Sequence, residues 1–217
     1  MIRRVRNIFN NICLSPFFTF LNNCCRIGRA INLTGEEHMK KALIIIAVII
    51  AAVVGYAAYL GVFAGITVEE REMGPFTFVY KEHKGPYGET GKVFTEIEKS
   101  LKADGIETTR GFGIYYDDPK QVKKEELRSI VGSVLEEKHL ARAGEIGKKF
   151  GIKRFEKSRC VTAEFPVRGM LAYWLGPMKV YPRFDEYMNA KGYKWGPALE
   201  LYDMQAKKII FAVPIKK

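Results

Sequence analysis

The sequence predicts an α+β protein in which duplicated β-α-β-β units form one antiparallel sheet, with helices on one face and a groove between the halves, preceded by one transmembrane helix. Three observations predict this. A run of 25 residues from Ala42 to Ile66 carries no charge and no side-chain amide. The remainder has the length of a single domain able to bury its own core and shows no low-complexity stretch. Within it, the order strand, Gly-containing turn, helix, strand, hairpin occurs twice.

The apolar run is longer than the roughly 20 residues that cross a bilayer core, and longer than the h-region of a cleaved signal peptide. Residues 42–66 are therefore read as a single-pass transmembrane helix, with Tyr56 and Tyr59 suited to an interfacial belt. Lys40 and Lys41 precede the run and Glu69, Glu70, Arg71 and Glu72 follow it. The positive-inside rule then puts the N-terminus in the cytoplasm and the soluble domain outside it.

Residues 1–38 mix Arg3, Arg4 and Arg6 with Phe17, Phe18 and Phe20 in no sustained period. Met39-Lys40-Lys41 followed by an apolar run is how many membrane-inserted chains begin. Gly35-Glu36-Glu37-His38 is encodable as GGG-GAG-GAA-CAT, which places GGAGG just ahead of a Met39 start codon. The expectation is a translated upstream region with Met39 as the start; the alternative is a basic, amphipathic cytoplasmic tail. Cys13, Cys24 and Cys25 lie in this stretch, which leaves Cys160 alone in the domain and no disulfide framework. Cys160, at the head of a strand, reads as a small buried residue.

The soluble domain is assigned to residues 70–217. Phe76, Phe78 and Tyr80 alternate with Thr77, Val79 and Lys81, a strand pattern, and His83 to Gly88 is a turn punctuated by Gly and Pro. Val93, Phe94, Ile97 and Leu101 share a helix face that ends at Asp104-Gly105. Gly111–Tyr116 and Leu127–Leu135 are strands separated by an Asp-Asp-Pro turn. In the second copy, Cys160–Val167 is a strand with Val161, Ala163 and Phe165 on one face. A helix holds Tyr181, Phe184, Tyr187 and Met188, with Pro182 placed in its first turn, and Lys191-Gly192 ends it. Ala198–Tyr202 and Ile209–Ile215 form the closing hairpin. Tyr116-Asp117 is matched to Tyr202-Asp203, 86 residues on (116 to 202). The link between copies, with Lys148, Lys149, Lys153, Arg154 and Lys157, is read as a solvated connection.

Net charge is +11, from 35 basic and 24 acidic residues. This suits an anionic lipid surface or an acidic partner. No zinc finger, RNA-binding aromatic signature or clean basic helix is present, so nucleic acid is not an expected partner. His83 and His139 are isolated and neither CxxC nor HExxH occurs, so no metal or other cofactor is expected. Gly85, Gly88 and Gly91 fit neither a phosphate loop nor a dinucleotide fingerprint.

Three segments carry a resemblance: His83-Lys84-Gly85-Pro86-Tyr87, Tyr115-Tyr116-Asp117-Asp118-Pro119, and Pro197-Ala198-Leu199-Glu200-Leu201-Tyr202 before a last hairpin. With them the domain resembles the GyrI-like small-molecule-binding family, of SOUL/GyrI-like fold, which includes effector domains of multidrug-sensing regulators. The runs Tyr80–His83, Tyr87–Gly91, Val131-Gly132-Ser133 and Trp174-Leu175 resemble a membrane-anchored branch of that family, in which a membrane helix leads directly into such a domain.

Strand alternation puts Glu200 and Tyr202 on one face and Leu199 and Leu201 on the other. The leucines are assigned to the helix-packed side, which aims Glu200 into an open groove. The resemblance implies that Glu200 is the groove's acidic determinant; from the residues alone it reads as a surface carboxylate on a half-exposed strand. Trp174 and Tyr87, each preceding a helix, are the candidate groove aromatics, with core packing as the alternative. Tyr115 and Tyr116 point to opposite faces, so one of them lines the groove, and Tyr116 is the candidate chosen. The expected function is a membrane-anchored binding module for a small cationic or amphipathic ligand, or for a partner's group. The alternative is a hydrolase of strained electrophiles, with Glu200 as general base and Tyr202 or Tyr87 as proton donor.

Overall fold

The structure is a computed structural model that describes residues 36–215. Cys13, Cys24, Cys25 and most of the N-terminal extension lie outside the described residues. The chain divides into two units at Tyr56 and Ala57.

Helix α1 runs Glu36–Tyr59. Its stretch Glu37–Tyr59 is long and apolar enough to cross a membrane. The helix ends before the apolar run does. Leu60–Phe63 form a turn in which Gly61 takes φ +85, a conformation that favours glycine. Leu60 is buried at 5% exposure. The last residues of the run therefore belong to the second unit rather than to the helix.

The second unit holds one eight-stranded sheet in the order β1-β6-β8-β7-β3-β4-β2-β5, antiparallel throughout. The strands are β1 Glu69–Met73, β2 Phe76–Lys84, β3 Arg110–Tyr115, β4 Arg128–Val134, β5 Gly151–Phe155, β6 Ser158–Pro166, β7 Ala198–Asp203 and β8 Lys208–Pro214. Helix α2 (Thr90–Ala103) follows β2, the short α3 (Ala143–Ile146) precedes β5, and α4 (Ala172–Lys191) follows β6. The two copies are thus β2-α2-β3-β4 and β6-α4-β7-β8, joined where β3 pairs with β7 at the centre of the sheet.

Two strands were absent from the sequence reading. β1 and β5 are charged edge strands, and charge is how edges are kept from pairing with other chains. The linker expected to be a solvated connection contains β5, which pairs with β2, while β1 pairs with β6. Each copy's leading strand therefore completes the edge of the other copy.

Both main helices stop where expected, by the same device. Gly105 (φ +71) and Gly192 (φ +68) take the left-handed conformation. The next N–H in each case reaches back to close the turn, Ile106 to the Leu101 carbonyl (2.8 Å) and Tyr193 to the Met188 carbonyl (2.9 Å). Helix α4 begins earlier than the sequence suggested, so Pro177 and Pro182 are interior. An interior proline costs about 3 kcal/mol. Burial on the sheet offsets this: Val180, Phe184 and Met188 of α4 are fully buried against Phe165 and Phe211, at about 1.5–3 kcal/mol per large side chain. Gly176 permits the contact, since a Cβ there would stand 3.0 Å from Phe211 Cζ.

The assignment of faces is reversed from expectation. Paired residues share a face, and one row reads Lys81, Val131, Gly113, Glu200, Phe211, Ala163 across six strands. The neighbouring row carries Val79, Gly111, Tyr202, Ile209 and Phe165. Val79 packs with Ile97 and Leu101 of α2, and Phe165 and Phe211 pack with α4, so both helices lie on the Glu200 face. Leu199 and Leu201 face the other way, into a core with Phe78, Phe112, Met73 and Cys160 that the curled sheet makes for itself. Alternation separates two faces; it does not say which one carries the helices when both are apolar.

Candidate functional site

The central strands β3 and β7 run between α2 and α4, so their helix-side residues form the floor of a groove at the seam of the two copies. Glu200 lies on that floor, 5% exposed. Tyr181 of α4 donates to Glu200 Oε1 at 2.6 Å, and Tyr202 donates to Oε2 at 2.7 Å. The Tyr115 hydroxyl is 3.0 Å from that of Tyr202. Because Tyr202 gives its proton to the carboxylate, Tyr115 is the donor in that second bond. Phe94 of α2 meets the Tyr202 ring edge-on at 5.4 Å, and Tyr173 of α4 lies 5.9 Å from it. Trp195 packs 6.3 Å from Tyr181.

Glycine makes the floor possible. A Cβ at Gly113 would stand 2.8 Å from the Tyr115 ring, which lies back over β3. Gly113 pairs directly with Glu200. Tyr115 and Tyr202 are 87 residues apart, and the same step carries Gly113 onto Glu200. The repeat offset is therefore odd, one more than the sequence match, and Tyr115 rather than Tyr116 is the counterpart of Tyr202. At the seam one copy supplies a carboxylate, and at the equivalent position the other supplies a glycine over which the Tyr115 ring lies.

Burial pushes the Glu200 carboxyl above its ordinary range, against the opposing pull of the Tyr181 and Tyr202 hydroxyls. No cation pairs with it among the described residues. Burial first, and Glu200 second, push the Tyr181 and Tyr202 hydroxyls well up, and Tyr115 follows for the same reasons. The three phenols are thus neutral donors around one acid.

Tyr202 is in the cluster. Tyr87 touches it through its ring, edge-on to Tyr115 at 4.8 Å. Its hydroxyl is engaged elsewhere: it donates to the carbonyl of Asp117 or Arg128 (2.9 and 3.1 Å) and accepts from the Asp117 N–H. That engagement turns it away from the role of proton donor beside Glu200. Tyr116 is not brought to the groove; its hydroxyl accepts from Lys153 Nζ at 3.1 Å, and the same ammonium lies over its ring. Trp174 is in the first turn of α4 rather than before it. It stands at the rim, 67% exposed, and a Cβ at Gly88 would be 3.6 Å from its Cη2. The indole therefore reaches from α4 to the turn that precedes α2. Tyr181 was missed as a site residue. Its signal was there: a phenol on the buried face of a helix needs an acceptor, and Glu200 offered one on the facing strand.

Cys160 is fully buried in the leucine-side core, its thiol pushed up to about 11 by burial. No group of three or more His, Cys, Asp or Glu positioned for a metal occurs among the described residues.

Residues 66–210 match the family model described as the GyrI-like small molecule binding domain. Testis-expressed protein 264 of Homo sapiens is 33% identical over 180 residues, covering 78% of this chain and 54% of that protein. Its Mus musculus homolog is 34% identical over 173 residues, covering 75% of this chain and 53% of the homolog. The chain thus spans about half the length of these curated relatives. Among solved structures, the EcmrR C-terminal domain superposes with a TM-score of 0.50 at 14% identity, over 70% of this chain and 98% of that one, a likeness of fold.

Proposed function

The chain belongs to the family of GyrI-like small-molecule-binding domains, and from that premise we propose that it is a membrane-anchored binding module for a small cationic or amphipathic ligand, or for a cationic group of a partner. The observation that carries this reading is Glu200, a buried carboxylate held by two phenols, ringed by aromatic side chains and lacking a countercharge. A charge held in low dielectric without a partner is costly. A lipophilic cation entering from the rim would supply that partner, and the rings of Tyr202, Tyr173 and Trp174 would offer it π faces. Tyr181, Tyr202 and Glu200 are the residues assigned to the bound group; Trp174 and Tyr87 frame the entrance.

Isothermal titration of the purified chain with rhodamine 6G, a lipophilic organic cation, tests the reading. Glu200→Gln keeps the shape and accepts from Tyr181 as before, but removes the charge. It is expected to weaken binding by about 1–3 kcal/mol, the range for a charge-assisted contact. Equal affinity of wild type and variant would remove Glu200 from the site.

One observation favours a second reading. A carboxyl raised by burial, 2.7 Å from a phenol, is a general base beside a proton donor. Glu200-dependent turnover of an epoxide by the purified chain would replace binding with hydrolysis as the activity.

For the anchor, the reading is a single pass by α1 with the N-terminus in the cytoplasm, supported by Lys40 and Lys41 ahead of the span and the acidic Glu69, Glu70 and Glu72 behind it. Protease added to spheroplasts is then expected to digest the domain, and protection there would reverse the orientation.

A further inference from the structure

The chain leaves α1 at Tyr59, and the residues just beyond are fastened to one part of the domain. Arg168 donates to the Tyr59 carbonyl at 2.7 Å, with its guanidinium 5.5 Å from that ring's centre. Leu60 lies beside Gly169, where a Cβ would stand 3.6 Å from Leu60 Cδ2. Lys179 Nζ is shared among three carbonyls, those of Gly61 (3.1 Å), Val62 (2.6 Å) and Ala64 (2.6 Å). The β6–α4 loop and the first two turns of α4 are thus held against residues 59–64, where a membrane-crossing α1 would emerge.

That same stretch is where the domain exposes large apolar side chains. Phe63 is 67% exposed, Met170 80%, Leu171 53%, Trp174 67% and Met178 71%. Leu171, Trp174 and Met178 follow i, i+3, i+7 spacing and so share one face of α4. Apolar side chains scattered singly over a surface are ordinary; a group of them around a membrane exit, with an indole and an arginine among them, has the composition of an interfacial belt.

We propose that the β6–α4 loop and the N-terminal half of α4 bed into the lipid–water interface of the membrane that α1 crosses. The groove rim at Trp174 then opens onto lipid rather than bulk water, and the ligand class narrows to amphiphiles that partition from the bilayer. This rests on α1 crossing the membrane and deepens the binding reading above.

Only Trp174 and Trp195 carry indole, since the chain has 2 tryptophans. The full chain carrying Trp195→Phe is reconstituted in phosphatidylcholine vesicles containing lipids brominated either near the glycerol end or near the methyl end of the acyl chain. Trp174 fluorescence is expected to be quenched about twofold more by the shallow bromines than by the deep ones, as for an interfacial indole. Leu171→Asp with Met178→Asp, both at exposed positions, is expected to return the signal toward that in unbrominated lipid. Absence of quenching in a chain that resists carbonate extraction overturns the interfacial placement and leaves the anchor intact. Release of the chain by carbonate overturns the anchor and this placement together, while Glu200-dependent cation binding stands or falls separately. An unquenched Trp174 shielded from iodide, with crosslinks between copies, would assign the patch to a second copy of the chain and overturn the proposal.

Discussion

Two carboxylates in this domain are each bridged by two tyrosine hydroxyls, and both pairs draw one tyrosine from α4. Glu70 on β1 accepts from Tyr193 at 2.9 Å and Tyr187 at 3.2 Å. Glu200 on β7 accepts from Tyr181 and Tyr202. The difference is Arg159, which donates to Glu70 at 2.9 Å and has no counterpart at Glu200. The Tyr193 hydroxyl, with Arg159 behind it, holds the Glu70 carboxyl below its usual range, whereas burial carries Glu200 above it. At Glu70 the phenols and Arg159 together outweigh burial; at Glu200, where no cation helps, burial outweighs the phenols. Glu70 is neutralised within the fold and ties β1 to α4 and its C-terminal turn. Glu200 is not, and that separates a structural carboxylate from one suited to a ligand.

The severest way to break the comparison is to displace the Tyr115 ring that lies over Gly113, the residue paired with Glu200. Gly113→Val would drive a branched side chain into the Tyr115 ring and crowd the paired Glu200. Overpacking of this kind costs about 1–3 kcal/mol, and cation binding in titration should be lost with it. Gly111→Ala, whose Cβ would meet Phe94 at 3.5 Å, is the tolerated control.

Acid titration sharpens the comparison through opposite signs. A carboxyl raised by folding contributes its stability below the unfolded value, about pH 4.3, and loses it as pH rises toward the folded value. Wild type should therefore fall relative to Glu200→Gln as pH rises above that point, and the variant should melt higher at pH 8. A carboxyl lowered by folding behaves in reverse. Wild type should fall relative to Glu70→Gln only as pH drops below about 4.3. Melting curves of the three proteins between acid and neutral pH check both signs, and parallel curves for wild type and Glu200→Gln would mean that Glu200 is not buried as an acid.

A smaller effect is expected from Tyr181→Phe. It removes one donor and leaves Tyr202, so the loss at pH 8 should be about 1–2 kcal/mol. In the Glu200→Gln background the same change should cost less, because the acceptor is no longer charged. The least effect is that of Glu70→Gln on ligand affinity, which should equal wild type; any tenfold change would join the two carboxylates into one site.

Much of this architecture was legible in the residues. Alternation located β2, β3, β6, β7 and β8 and set Glu200 apart from its flanking leucines, and Gly105 and Gly192 marked both helix ends. What escaped did so for physical reasons. Edge strands such as Glu69–Met73 carry charge in place of apolar alternation. The apolar run continues to Ile66 although the helix ends at Tyr59, because Leu60 and Gly61 pack against the domain and only Gly61's positive φ, invisible to a hydropathy count, marks the turn. An offset judged from Tyr-Asp pairs came out even, when only an odd one keeps Tyr115, Tyr202 and Glu200 on a common face. Tyr181 needed the helix and strand placed against each other before its hydroxyl had a destination.

The exchange of leading strands bears on the order in which the chain can mature as it is made. β1 emerges first and has no partner until β6 appears, and β2 keeps an unpaired edge until β5 is made. The first copy can therefore collapse around α2 during translation but cannot close either of its borders. The seam that holds Glu200 needs β7, which comes later still. Closure of the sheet is then a late event governed by contacts remote in sequence, and the first copy of a nascent chain would wait with two open β-edges until its second half arrives.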